Sequence, residues 1–203
     1  MKKKYWLILL IIVIVIGGII FYKNRVKDSK SGNNKTSQEI VDYILNISSY
    51  EVKVTVNVTS NKNTNKYILK QTYQNPSVSM QEVLEPSNIA GVKIENDGKN
   101  LKIQNSQLNL NTILENYNYL GDNCLDLYSF IEDYKQDKNS MFEEKDTEII
   151  MKTSSNIENI YVQEKILHID KKTMSPTQME IKDNKQKTTI YILYNEVKVN
   201  STQ

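Results

Sequence analysis

Of histidine, cysteine, arginine and tryptophan the 203-residue chain contains one each: His168, Cys124, Arg25 and Trp6. These scarcities exclude most of the usual chemistry. A Cys/His zinc site needs several such ligands, and a Ser-His or Cys-His nucleophile needs its single base well placed. A lone cysteine forms no intramolecular disulfide, which leaves the redox compartment undecided. Arg25 and Trp6 both lie near the N-terminus, so the rest of the chain has no arginine with which to clamp a phosphate or carboxylate bidentately. A basic face is also lacking. The chain has 26 basic and 24 acidic residues, but the first 35 residues hold eight of the basic ones and one acid, Asp28. The remainder carries 18 basic against 23 acidic side chains, a net charge of −5. Nucleic-acid binding is therefore not expected.

The N-terminus carries the longest apolar run. Tyr5–Tyr22 is 18 uncharged residues, about 27 Å as a helix and close to the hydrocarbon thickness of a bilayer. Tyr5, Trp6 and Tyr22 stand at its ends, where amphipathic rings prefer the headgroup zone. Gly17-Gly18 is a poor cleavage site, so the run reads as an uncleaved signal anchor. The expected organisation is a leader and transmembrane anchor over 1–22, a basic linker over 23–35 and one domain over 36–203. The short basic leader favours the N-terminus inside and the domain on the extracytoplasmic side of the cell membrane, although Lys23, Arg25, Lys27 and Lys30 nearly balance the leader's lysines.

Within the domain, Thr36-Ser37-Gln38-Glu39 fits a capping box. Ile40, Val41, Ile44, Leu45 and Ile47 then recur at helical spacing, which predicts a helix over Ser37–Ser48. The period next changes to two. Val52, Val54, Val56 and Val58 alternate with polar residues, and Tyr67–Tyr73 follows beyond the turn residues 61–65, giving a hairpin. Val78–Glu85, Val92–Glu95 and Leu101–Ile103 extend the meander, the last two joined through Asp97-Gly98. Asp122–Asp137 predicts a second helix with Cys124, Leu125, Tyr128, Ile131 and Tyr134 on its inner stripe and acids opposite. Four more strands are expected at Glu148–Lys152, Ile160–Ile169, Gln178–Lys182 and Thr188–Val199. The fold class is α+β: a large curved antiparallel sheet with an N-terminal helix and a second covering helix.

Candidate chemical groups each have a plainer explanation. His168 sits in an alternating strand with no second His or Cys to complete a metal site. Cys124 at a helix start could be reactive, but such a residue is more often a small buried hydrophobe. Glu143-Glu144-Lys145-Asp146 lacks the spacing of a calcium loop and reads as a solvated loop. Tyr117 and Tyr119 are the tyrosines expected to be exposed. No catalytic, cofactor-binding or metal-binding residue is assigned, and no enzymatic activity is expected.

Two stretches carry a resemblance. The first is Tyr73-Gln74-Asn75-Pro76, Glu82-Val83-Leu84-Glu85-Pro86, Gly91 and Asp97-Gly98-Lys99-Asn100-Leu101. The second is Ile169-Asp170-Lys171-Lys172-Thr173 with Pro176, Met179-Glu180-Ile181 and Tyr194–Asn200. Together they resemble the LolA/LolB-like lipoprotein-carrier superfamily, and within it the germination lipoprotein GerS-related proteins of spore-forming clostridia. The resemblance implies an unclosed β-barrel and a non-enzymatic protein of spore-cortex modification and germination. It also implies a cortex N-acetylmuramoyl-L-alanine amidase as partner and, for a sporulation-specific protein, the forespore intermembrane space. The alternative it implies is carriage of a lipid or other hydrophobic ligand in the sheet cavity. Residues 1–35 contain no cysteine for lipid attachment, so anchoring falls to Tyr5–Tyr22.

Overall fold

The structure, a computed structural model, describes residues 35–201 apart from 61, 75, 77 and 118–122. The anchor expected at Tyr5–Tyr22 and nearly all of the basic linker lie outside the described residues. Among those described, no helix is long and apolar enough to cross a membrane.

The first element, α1 (Ser37–Leu45), is set by its cap. The Thr36 hydroxyl accepts from the Glu39 backbone N–H, and the Glu39 carboxylate accepts from the Thr36 N–H at 2.6 Å, so two otherwise orphaned donors are satisfied. Ile40, Val41 and Ile44 form its buried stripe. The helix stops earlier than expected. Asn46 caps it, donating from its backbone and side chain to the Asp42 carbonyl, and Ile47 already pairs with Ser201. Here strand pairing overrides the helical spacing of Ile47.

Eleven strands follow: β1 (Ile47–Thr59), β2 (Thr64–Gln74), β3 (Val78–Glu85), β4 (Lys93–Asn96), β5 (Asn100–Asn105) and β6 (Leu110–Glu115), then, after α2 (Leu127–Gln136), β7 (Met141–Glu144), β8 (Glu148–Asn159), β9 (Val162–Asp170), β10 (Ser175–Lys182) and β11 (Thr188–Ser201). They form one antiparallel sheet in the order β6-β5-β4-β3-β2-β1-β11-β10-β9-β8-β7. β6 and β7 are its two edges, so the sheet does not close.

The α+β architecture with two helices and an open sheet is as expected, with corrections at the margins. β6 was not foreseen. β7 takes in Glu143 and Glu144, which were read as loop, because Met141–Glu144 pairs with Ile149–Lys152. β8 runs on to Asn159, and Ile160-Tyr161 forms the turn that was expected to open the next strand.

The alternation of β1 places Val52, Val54 and Val56 in the core and Lys53 and Thr55 outside. A bulge at Asn195 keeps β11 consistent with it: Val52 faces Val197, but Val54 faces Tyr194. The extra residue changes the parity of β11, so that Val197, Tyr194 and Ile192 all point inward. Leu69, Ile149, Met151, Leu167, Ile169, Met179 and Ile181 complete the inner face, against which α1 and α2 pack. The β4–β6 wing contributes little, Leu101 being its one apolar residue in the buried set.

Candidate functional site

The inner stripe of α2 differs from the expected one. Leu127, Phe130 and Ile131 are buried, and with them Ser129 and Asp133, while Cys124 and Leu125 precede the helix. The acids are not all opposite the core. Asp126, the N-cap, is 3% exposed and accepts from the Tyr128 N–H at 3.2 Å. Burial pushes its carboxyl up to about 6, against the weaker opposing pull of that N–H and of Lys165.

Asp133 faces the side chain that sequence reading missed. Lys165 on β9 is fully buried; its Nζ lies 2.6 Å from Asp133 Oδ2 and donates to Ser129 Oγ at 2.8 Å. Asp133 Oδ1 accepts from the Asn156 N–H on β8. The signal was present in the sequence. Lys165 shares the strand parity of Leu167 and Ile169, and Asp126, Ser129 and Asp133 recur at helical spacing. Next to this cluster, burial raises the Cys124 thiol above its usual value, which opposes the thiolate a nucleophile needs. An ammonium with no solvent access and a thiol held neutral make a joint that fixes α2 to the sheet, not a reaction centre. The segment entering α2 is tied down as well: Gln71 Nε2 donates to Gln81 Oε1 and to the Leu125 carbonyl, and Tyr128 stacks on Tyr73 at 4.2 Å.

The other candidates lie apart. His168 is on the outer face, with Nδ1 2.9 Å from Glu148 Oε2. Glu143 pairs with Lys152 at 2.6 Å and Glu144 with Lys171 along the β7 edge. Among the described residues no group of acids, His and Cys could hold a metal ion. Tyr117 is exposed as expected; Tyr119 lies outside the described residues.

Two surface features stand out. At the β6 edge, Leu108, Ile113, Leu114 and Tyr117 are exposed beside strand backbone that has no outer partner among the described residues, Ile113 at 60%. Away from that edge, the tips of the β1–β2, β8–β9 and β10–β11 hairpins surround a cavity of about 680 Å³.

An open antiparallel sheet under two helices, with its buried charges spent on packing, defines an α+β domain built on an unclosed sheet. The family model for sporulation protein YdcC-like proteins matches residues 2–203, and the chain belongs to that family. A search of curated proteins finds no match. Among solved structures, the complex of the CwlD amidase with the GerS lipoprotein from Clostridioides difficile aligns at 23% identity, covering 81% of this chain and 96% of that one, with a TM-score of 0.52. An uncharacterized conserved protein from Thermus thermophilus aligns at 13% identity over 83% and 90% of the two chains, with a TM-score of 0.53. A LolA superfamily protein from Nitrosomonas europaea aligns at 13% identity over 83% and 96%, with a TM-score of 0.43. These likenesses are of fold.

Proposed function

We propose that this chain is a non-catalytic sporulation protein that works by contact with a cell-wall amidase in spore-cortex modification and germination. In this reading Tyr5–Tyr22 holds it in the cell membrane with its domain on the extracytoplasmic side. The observation that carries the contact reading is the β6 edge. A strand whose outer edge has no partner among the described residues, with exposed Ile113 and Leu114, offers both backbone hydrogen bonds and apolar surface to another protein. The sporulation family and the fold shared with GerS, which was solved in complex with CwlD, support an amidase as that partner. A hydrophobic ligand beneath the helices is the weaker reading. Ile44, Phe130, Leu167 and Ile169 are 0% exposed there, leaving no water-sized space against them.

Co-purification of the full-length chain with the amidase of its own organism tests the contact. The pair Ile113→Lys and Leu114→Lys should abolish the complex while leaving the circular dichroism spectrum unchanged, because both side chains already face water. A complex that survives both substitutions, or none with the unaltered chain at micromolar concentration, overturns the reading. Protease added to intact protoplasts reads the topology: release of a domain-sized fragment agrees with an external domain, and full protection until lysis contradicts it.

A further inference from the structure

The cavity between the hairpin tips is built, and the contact reading does not use it. Its floor is apolar, from Val58, Val162, Ile190 and Cys124; Lys62 and Lys187 stand at its rim. Its volume falls within the range of pockets that receive a ligand group. Two of the three tips are locked together. The Asn184 N–H donates to the Ile160 carbonyl at 3.0 Å, and Thr189 Oγ1 donates to the Tyr161 carbonyl at 2.7 Å, so the β8–β9 turn is fastened to β10–β11. Ser60 closes its own turn on Asn63. With the backbone thus held, Ile160 and Tyr161 stay 58% and 59% exposed beside the opening. A site already in shape loses little ordering entropy when it is filled.

Charge decides the occupant. In a domain of net negative charge, Lys62, Lys185 and Lys187, like several other lysines, form no ion pair among the described residues. The nearest acid, Asp183, is engaged: its Oδ1 accepts from the backbone N–H groups of Lys185 and Lys187, each at 2.9 Å. Lys185 and Lys187 act on the Asp183 charge without an ion-pair contact, so their ammonium groups keep hydrogen-bonding capacity for carboxylates from outside. A flat anionic bilayer fits poorly, because the apolar surface is concave and lies between the hairpin tips. A peptide can instead set its carboxylates against single lysines and insert an apolar side chain between them.

We propose that this cavity docks an acidic peptide segment bearing a large apolar side chain. The apolar group enters between Val58, Val162 and Ile190, and flanking carboxylates meet Lys62 and Lys187. The inference rests on the protein-contact reading and adds a second surface to the β6 edge. The test uses the full-length chain and a fluorescent hexapeptide in which four glutamates flank a leucine–phenylalanine pair. Fluorescence anisotropy should show saturable binding, weakened at least tenfold by Lys62→Glu together with Lys187→Glu and at least tenfold when lysines replace the peptide's glutamates. Both protein substitutions are at exposed positions, and an unchanged circular dichroism spectrum verifies the fold. Equal binding by the variant or by the lysine peptide overturns the proposal. So does a cavity that takes up dodecyl sulfate, or binds phosphatidylglycerol vesicles, but not the peptide. Amidase co-purification of the unaltered chain separates the two ideas: an amidase complex without peptide binding sinks this inference alone, and peptide binding without an amidase complex overturns the contact reading alone.

Discussion

Lys165→Met is the substitution with the largest expected consequence that sequence pattern alone would not flag. The variant retains a long unbranched side chain in the same space but removes the ammonium that faces Asp133 at 2.6 Å. Asp133 is 6% exposed at its side chain and would keep one long hydrogen bond, 3.4 Å from the Asn156 N–H. A buried carboxylate stripped of its partner costs about 3–5 kcal/mol. For a domain of this size that is a fall of roughly 6–20 °C in Tm. The double variant Lys165→Met, Asp133→Leu removes both charges, and an apolar replacement of a buried pair is often neutral or better. It should therefore recover most of the loss, giving a strongly favourable coupling in the double-mutant cycle. The described domain has no tryptophan, so urea unfolding should be followed by far-ultraviolet circular dichroism. A single variant that loses less than about 1 kcal/mol would show that water reaches Asp133. A double variant as unstable as the sum of the singles would show that packing, not charge, was lost. Either result refutes the reasoning.

Asp126 should respond to pH in a definite direction. Its native pKa of about 6 lies above the ordinary value of 3.8, so the folded state holds the proton more tightly and the group's contribution falls as pH rises through that interval. Asp126→Asn preserves the capping oxygen and removes the buried charge. It should raise stability by on the order of 2 kcal/mol at pH 8 and change it little at pH 4; a gain equal at both pH values would contradict this. Thr36→Ala removes the hydroxyl half of the capping box and should cost about 1 kcal/mol, while Thr36→Ser should cost little. Urea midpoints for the two variants decide it.

The parts of the fold that were legible in the sequence are those that local chemistry dictates. The valines of β1 alternate because one face of the strand is buried, and the capping box of Thr36 and Glu39 needs nothing beyond four consecutive residues. Asp97-Gly98 marks its hairpin because Gly98 adopts φ +91°, where a Cβ is strained. Features decided at long range were hidden. Ile47 continues a helical stripe in the sequence, and only its partner Ser201 shows that it belongs to a strand. Leu110, Ile113 and Leu114 have helical spacing yet form β6, because β5 offers an edge to pair with. The second helix was located, but its inward face was misplaced. The sequence pattern sets the acids opposite the inner stripe, whereas Asp133 is drawn inside by a lysine on a strand more than thirty positions later. The β6 edge and the cavity were beyond reach for the same reason: each gathers residues that are neighbours only after the sheet has formed.

The middle of the sheet is made by the two ends of the domain. β1, the first strand, lies against β11, the last, with Asn195 hydrogen-bonded to Thr55 across 140 residues of chain. On one side the strands descend β1 to β6; on the other they run from β10 back to β7. Each wing can zip by local hairpins, but the joint between them forms only after the longest loop in the molecule has closed, which is the slow kind of contact to make. A ribosome releasing this chain would deliver β11 after every other strand of the sheet. Until then there are two half-sheets, β6–β1 and β10–β7, that share no ladder and expose two further bare edges. A nascent or clipped chain lacking the 14 residues of β11 would be a pair of incomplete wings, open to pairing with whatever strand arrives first.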